Sequence, residues 1–216
     1  MMLLPINCFK QRGRGLRYIH WLNYIFVGIV LAACSQPPVP KDNYYRLHIG
    51  SPKQIYQKPL FSGSVEIQRF SADGLLANRQ IAYASSQRPH LLNEYHYHFW
   101  SEPPPVMIRD QMVDFLRATK SAERVVTSEL RLSAKYIIYG KIKRFEHIRG
   151  PKEYTAVELE LAARNRKSGD LLYLGTYGVK TPVAGSDVSS AVESINRSVR
   201  EIFTRFLNNI ANKKIK

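Results

Sequence analysis

The residue with the most definite chemistry in this chain is Cys34, which closes the string Leu31-Ala32-Ala33-Cys34. A Leu, two small residues and a cysteine look like a lipobox. Small side chains let the extended backbone enter a signal peptidase, and the thiol then carries a diacylglycerol. Two other pairs invite a chemical reading. His96 and His98, two apart on a strand, would project together, as at the start of a metal site. His90 is near, but Pro89 interrupts the geometry and no third ligand is evident, so a polar strand face is the stronger reading of the pair. Glu158 and Glu160 share a strand face as well, either as paired carboxylates or as the wet side of an amphipathic strand. There is no serine elbow, zinc-protease helix motif or phosphate loop. The expected mature chain keeps no cysteine to act as a nucleophile. No catalytic set, metal or cofactor is expected.

The aromatic content points to binding. Thirteen Tyr and nine Phe supply a core and leave some over for a surface that could hold a partner or acyl chains. Tyr95, Tyr97 and Trp100 are the first candidates for such contacts.

The segment before Cys34 has the parts of a secretory signal. Lys10, Arg12, Arg14 and Arg17 precede a mostly apolar run from Ile19 to Ala33, and no acidic residue occurs before Cys34. As a helix that run reaches only about 22 Å, against a hydrocarbon core of roughly 30 Å, so an uncleaved anchor is the weaker reading. Removing those four bases from 32 leaves 28 Lys+Arg against 17 Asp+Glu, or +11. Behind an export signal this charge suits anionic headgroups or an acidic partner rather than nucleic acid.

The expected organisation is a signal peptide over 1–33, a lipidated Cys34 with a Pro-rich tether over 34–43, and one domain over 44–212. The tether, Ser35 to Asn43, favours an extended run of roughly 25–30 Å. Strands are expected at Tyr44–Ile49 and Ser64–Phe70, then a turn at Ser71–Gly74 and a strand within Leu75–Ser85 that Pro89 terminates. A further strand over Leu91–Trp100 would carry Tyr95, Tyr97 and Phe99 on one face and His96, His98 and Trp100 on the other. Prolines 103–105 open a helix with Ile108, Met112, Phe115 and Leu116 at helical spacing. A short strand at Val125-Val126 precedes a meander over Lys135–Phe145, Glu153–Arg164 and Leu171–Thr181. Ser186 or Asp187 caps a last helix with one apolar stripe: Val188, Val192, Ile195, Val199, Ile202, Phe206 and Ile210. The fold class is therefore α+β, a mixed or antiparallel sheet packed by two main helices.

Several strings resemble the ABC-type transport auxiliary lipoproteins, the group that includes the paraquat-inducible lipoprotein PqiC. They are Tyr44-Tyr45-Arg46-Leu47, Gly74-Leu75-Leu76, Asn78-Arg79-Gln80-Ile81 with Tyr83, and Tyr97 with Trp100-Ser101-Glu102-Pro103. The helix from Val106 to Leu116, Tyr139-Gly140-Lys141-Ile142, the Val157–Ala163 strand and the C-terminal helix follow in the same order. The chain departs from the pattern at Ser71-Ala72-Asp73 and Pro104-Pro105.

The resemblance implies a non-enzymatic component that works with an MCE-domain protein and an ABC transporter in a Gram-negative envelope, moving phospholipids or other apolar molecules. It implies lipidation of Cys34, and Ser35 after it resembles the pattern of lipoproteins sorted to the outer membrane, facing the periplasm. Cargo, direction of transport and self-association stay open. The rival readings are a lipoprotein scaffold of another envelope machine, and a periplasmic hydrolase using the Glu or His pairs above.

Overall fold

The computed structural model describes residues 38–213. Cys34, the expected signal peptide and the start of the tether lie outside the described residues. The domain is α+β: nine strands in one mixed sheet and two long helices around a contiguous apolar core. No helix among the described residues is long and apolar enough to cross a membrane.

The sheet is organised around β7 (Tyr136–Arg149). Along one side β7 pairs antiparallel with β8 (Tyr154–Asn165), which pairs with β9 (Leu171–Pro182). Along its other side it meets three shorter strands in succession, all parallel: β2 (Phe61–Ile67), β3 (Ser71–Ala72) and β4 (Gln80–Ser85). Outside β2 lies β6 (Ala122–Thr127), and outside β4 lie β5 (Arg88–Trp100) and then β1 (Asn43–Tyr45). In β8, Val157, Leu159, Leu161 and Ala163 point inward while Glu158 and Glu160 face out, the alternation of a half-buried strand.

Helix α1 (Pro104–Ala118) starts on prolines, whose missing N–H groups would have had no partner in the first turn. It buries Ile108, Met112, Phe115 and Leu116 and turns Asp110 and Asp114 to solvent. Thr119 Oγ1 donates to the carbonyls of Phe115 and Leu116, and Lys120 adopts a left-handed φ of 54°, which ends the helix.

Helix α2 (Val188–Lys213) is capped by Asp187, whose Oδ1 accepts from the Ser190 N–H at 2.9 Å. The Ser190 hydroxyl and then its backbone N–H hold the Asp187 carboxyl below its usual pKa. All seven residues of the stripe are buried, and Phe203 and Leu207 widen it. Ser198 and Thr181 share a hydrogen bond of 2.7 Å, and Ser194 donates to the Pro182 carbonyl, so polar contacts fix the helix's register on β9. The two helices meet at Phe115 and Phe203, ring centroids 5.7 Å apart.

Several boundaries differ from expectation. The first strand ends at Tyr45, because the N–H groups of His48 and Ile49 are taken by the Asn196 and Gln111 side chains of the two helices. Strand β2 starts at Phe61, with a register shift before Ser64 where Gly63 has φ +132°. Ser71-Ala72 pairs with Lys141-Ile142 instead of turning. The strand expected to end at Pro89 stops earlier, at Ser85, and Pro89 lies inside β5, a position tolerated on an edge strand.

Candidate interaction surface

Strand β5 carries the three aromatic residues singled out in the sequence, and the structure separates them. Between β4 and β5 the register runs Gln80↔Phe99 and then Ala82↔Glu94, so one residue on β4, Ile81, stands against four on β5, 95–98. A bulge of that size breaks the alternation between Glu94 and Phe99. The expected faces are therefore corrected: Tyr95 lies with His98, not opposite it, at 5.6 Å between ring centroids. Trp100 is 1% exposed and packs against Phe145 in the core, so it presents no free face to a partner. Tyr97 is 38% exposed.

Tyr95 is half-buried in a polar cluster that links three parts of the sheet. Its hydroxyl lies 2.9 Å from His147 Nδ1, and its ring 4.5 Å from that of Tyr83. His147, on β7, is 2% exposed, and its Nε2 lies 3.1 Å from Glu153 Oε2, without a well-aligned hydrogen bond. Next to them Tyr45 and His98 Nδ1 are 2.9 Å apart. Glu153 stands at the turn before β8, and Arg149 places its guanidinium 5.8 Å from the centre of the Tyr83 ring.

The electrostatics of this cluster argue against an activated group. Burial pushes the Tyr95 phenol up to about 12, so it stays protonated at neutral pH. Burial also pulls the His147 imidazole below its usual pKa, against the opposing pull of Glu153. A neutral imidazole with its proton on Nε2 accepts from Tyr95 and faces Glu153 with its N–H. The set joins β5, β7 and the β7–β8 turn by polar contacts. Sequence reading missed His147 and Glu153; the run Glu146-His147-Ile148 carries no signal of burial on both sides.

The two pairs with chemical potential come out differently. His98 is engaged by Tyr45, while His96 is exposed beside Tyr97. Glu158 and Glu160 lie on the outer face of β8, with Lys143 Nζ 3.9 Å from Glu158. Among the described residues no three His, Cys, Asp or Glu side chains converge as metal ligands would.

What β5 does offer is an edge. Strand β1 pairs with it only at His98–Trp100, so the outer side of Arg88–Tyr97 has no strand partner among the described residues. Leu91 (51% exposed) and Tyr97 stand on that length. Tyr44 continues the patch, stacked on Phe99 at 5.6 Å with the Arg79 guanidinium over its ring at 5.5 Å. The Leu91 and Tyr97 carbonyls accept from the Asn93 and Asn43 side chains at 3.2 and 3.3 Å; a length of strand without a strand partner beside exposed apolar side chains is a feature by which a sheet edge accepts another chain.

Residues 45–206 match the family model described as "ABC-type transport auxiliary lipoprotein component". No functionally curated protein matches the sequence. Among solved structures the chain is similar to a Xanthomonas campestris protein of the DUF330 family at 16% identity and a TM-score of 0.67, covering 79% of this chain and 96% of that one. A second similar structure, of a protein titled uncharacterized, has 12% identity and a TM-score of 0.62 and covers 79% and 99%. At such identities these likenesses establish the fold alone.

Proposed function

The chain belongs to the ABC-type transport auxiliary lipoprotein component family, and from that premise we propose that it is the non-enzymatic, lipid-anchored binding component of an MCE-domain, ABC-type system that moves phospholipid between envelope membranes. Cys34 is the acylation site, residues 1–33 are removed, and the Pro-rich segment over 34–43 holds the domain off an outer-membrane surface on the periplasmic side. Two or three acyl chains are enough for stable anchoring, since each buried CH₂ contributes about 0.8 kcal/mol and one chain alone is marginal.

The observation that carries the binding reading is the unpaired edge of β5 with Tyr44, Leu91 and Tyr97 exposed on or beside it. A transporter subunit or a second copy of the chain adds a strand there. The neutral Tyr95–His147 pair supports a binding role, because neither group is tuned for proton transfer.

The test is isolation of the intact lipoprotein from membranes, with identification of the proteins that come with it. MCE-domain and ABC-transporter subunits are expected with the wild type, and are expected to be depleted with Leu91→Asp combined with Tyr97→Asp. Cys34→Ala is expected to leave an uncleaved, unacylated chain. Isolation of a different envelope machine would refute the transport role, and a mature chain retaining residues 1–33 would refute the anchor.

A further inference from the structure

Away from the β5 edge, the segment between β1 and β2 builds a second feature. It is fastened at both ends to the helices. On one side His48 N–H donates to Asn196, Ile49 N–H donates to Gln111, and Arg200 Nε donates to the Ile49 carbonyl. On the other, Tyr56 N–H donates to the Thr119 carbonyl at 2.8 Å, and its hydroxyl reaches Asn208 Oδ1 at 3.4 Å. Between these clamps residues 52–54 arch over the groove between α1 and α2 and line a cavity of about 360 Å³ that opens to solvent. That lies in the size range of small-ligand pockets, about 300–1,000 Å³. Gly50 makes the arch feasible: its φ is +68°, and a Cβ there would stand 2.8 Å from Arg200 Nη2.

The cavity has a distinct polarity. Its floor is apolar, formed by Tyr56, Phe115 and Leu207. Its rim carries three cations, Lys53, Arg200 and Arg205, against one acid, Glu201, which pairs with Arg205; Arg197 also borders it, but its guanidinium is bonded to Ser194 Oγ and the Pro182 carbonyl. An apolar slot ringed by cations is complementary to an acyl chain with a negative head, and it repels neither end of such a molecule. An acidic peptide would match the rim and leave the floor unfilled. The chain's own C-terminus, Lys213 to Lys216, has the wrong charge.

We propose that this cavity between the 52–54 arch, α1 and α2 is a binding site for an anionic phospholipid, with one acyl chain on the Tyr56–Phe115–Leu207 floor and the phosphate at Lys53, Arg200 and Arg205. The inference rests on the reading that the domain works at a lipid surface, and it places the lipid contact on the helices, away from the β5 edge.

The test uses the full chain in its own membrane. A photoreactive benzoylphenylalanine is placed at Lys53 or, in a second strain, at Thr204, both lining the cavity; Glu193, exposed on α2 and outside it, serves as control. After irradiation of intact cells, the purified lipoprotein is digested and the adduct on the labelled peptide is weighed. Adducts of phosphatidylglycerol or cardiolipin mass are expected from both cavity positions and not from Glu193. With the label at Thr204, Lys53→Glu combined with Arg205→Glu is expected to cut the yield on the order of tenfold. Peptide adducts would reassign the cavity to a protein partner. Absence of adducts at both positions, yields equal to the control, or yields unchanged by the charge reversal would each overturn the proposal. Co-isolation of transporter subunits, measured on the same cells, reports separately on the transport role.

Discussion

Replacing Phe206 by Ala tests the packing on which the whole domain depends. Phe206 is fully buried in the α2 stripe and meets two tyrosines of β9 edge-on, Tyr173 at 5.8 Å and Tyr177 at 6.3 Å between ring centroids. Those tyrosines are not free to close over a void. Tyr177 donates to Tyr173 at 2.8 Å, and Asn209 on α2 donates to both hydroxyls. A Phe-to-Ala cavity costs about 3–5 kcal/mol, and a site that cannot collapse belongs in the upper half of that range. With a urea m-value of about 2 kcal/mol/M, a loss of about 4 kcal/mol lowers the midpoint by about 2 M.

The assay is equilibrium urea unfolding followed by the fluorescence of Trp100, which is buried in the core and is the one tryptophan left if residues 1–33 are removed. Phe206→Leu keeps most of the volume and should lose on the order of 1–2 kcal/mol. Glu201→Ala, which removes only an exposed i,i+4 pair with Arg205, should stay within about 0.5 kcal/mol. A loss below about 1 kcal/mol for Phe206→Ala, equal to that of Glu201→Ala, would refute the packing of α2 on β9.

Two further outcomes follow from the sheet. His147 is held below its usual pKa by burial, so the unfolded chain takes up a proton that the folded one resists. This contribution is full above the ordinary histidine pKa of about 6.5 and is lost as pH falls below it towards the folded value. The urea midpoint should therefore drop between pH 7.5 and pH 5.5 more steeply in the wild type than in Tyr95→Phe/His147→Phe; parallel slopes would remove His147 as the cause. Gly140 on β7 lies under the Phe70 ring, which a Cβ there would strike. Gly140→Ala should cost about 1–3 kcal/mol by overpacking. Phe70→Leu should relieve part of it, read as a coupling of about 1 kcal/mol in a double-mutant cycle; strict additivity would mean that the ring does not fill that space.

The sequence by itself determined the elements whose signals are local. The seven-residue stripe of α2, the cap at Ser186 or Asp187, the prolines opening α1 and the alternation of β8 all depend on residues within a few turns or pleats of one another. Their periods of 3.6 and 2 are therefore visible without knowing what they pack against. The proposal for Cys34 rests on the same kind of local signal, since a lipobox is read on an extended chain and needs no fold.

The tertiary structure decided what depends on distant partners. The segment after Tyr45 leaves the sheet because Asn196, 148 residues beyond His48, supplies a better partner for its backbone. The bulge in β5 moves Tyr95 to the His98 side because β4 fixes the register on either side of it, at Gln80↔Phe99 and Ala82↔Glu94. His147 meets Tyr95 from 52 residues away. The cationic rim gathers Lys53 with arginines of α2 that no pattern in the linear chain connects. A period of two or 3.6 states which way a side chain points along its own element. Which side chains meet is set by the closing of the sheet around β7 and by the packing of the helices upon it.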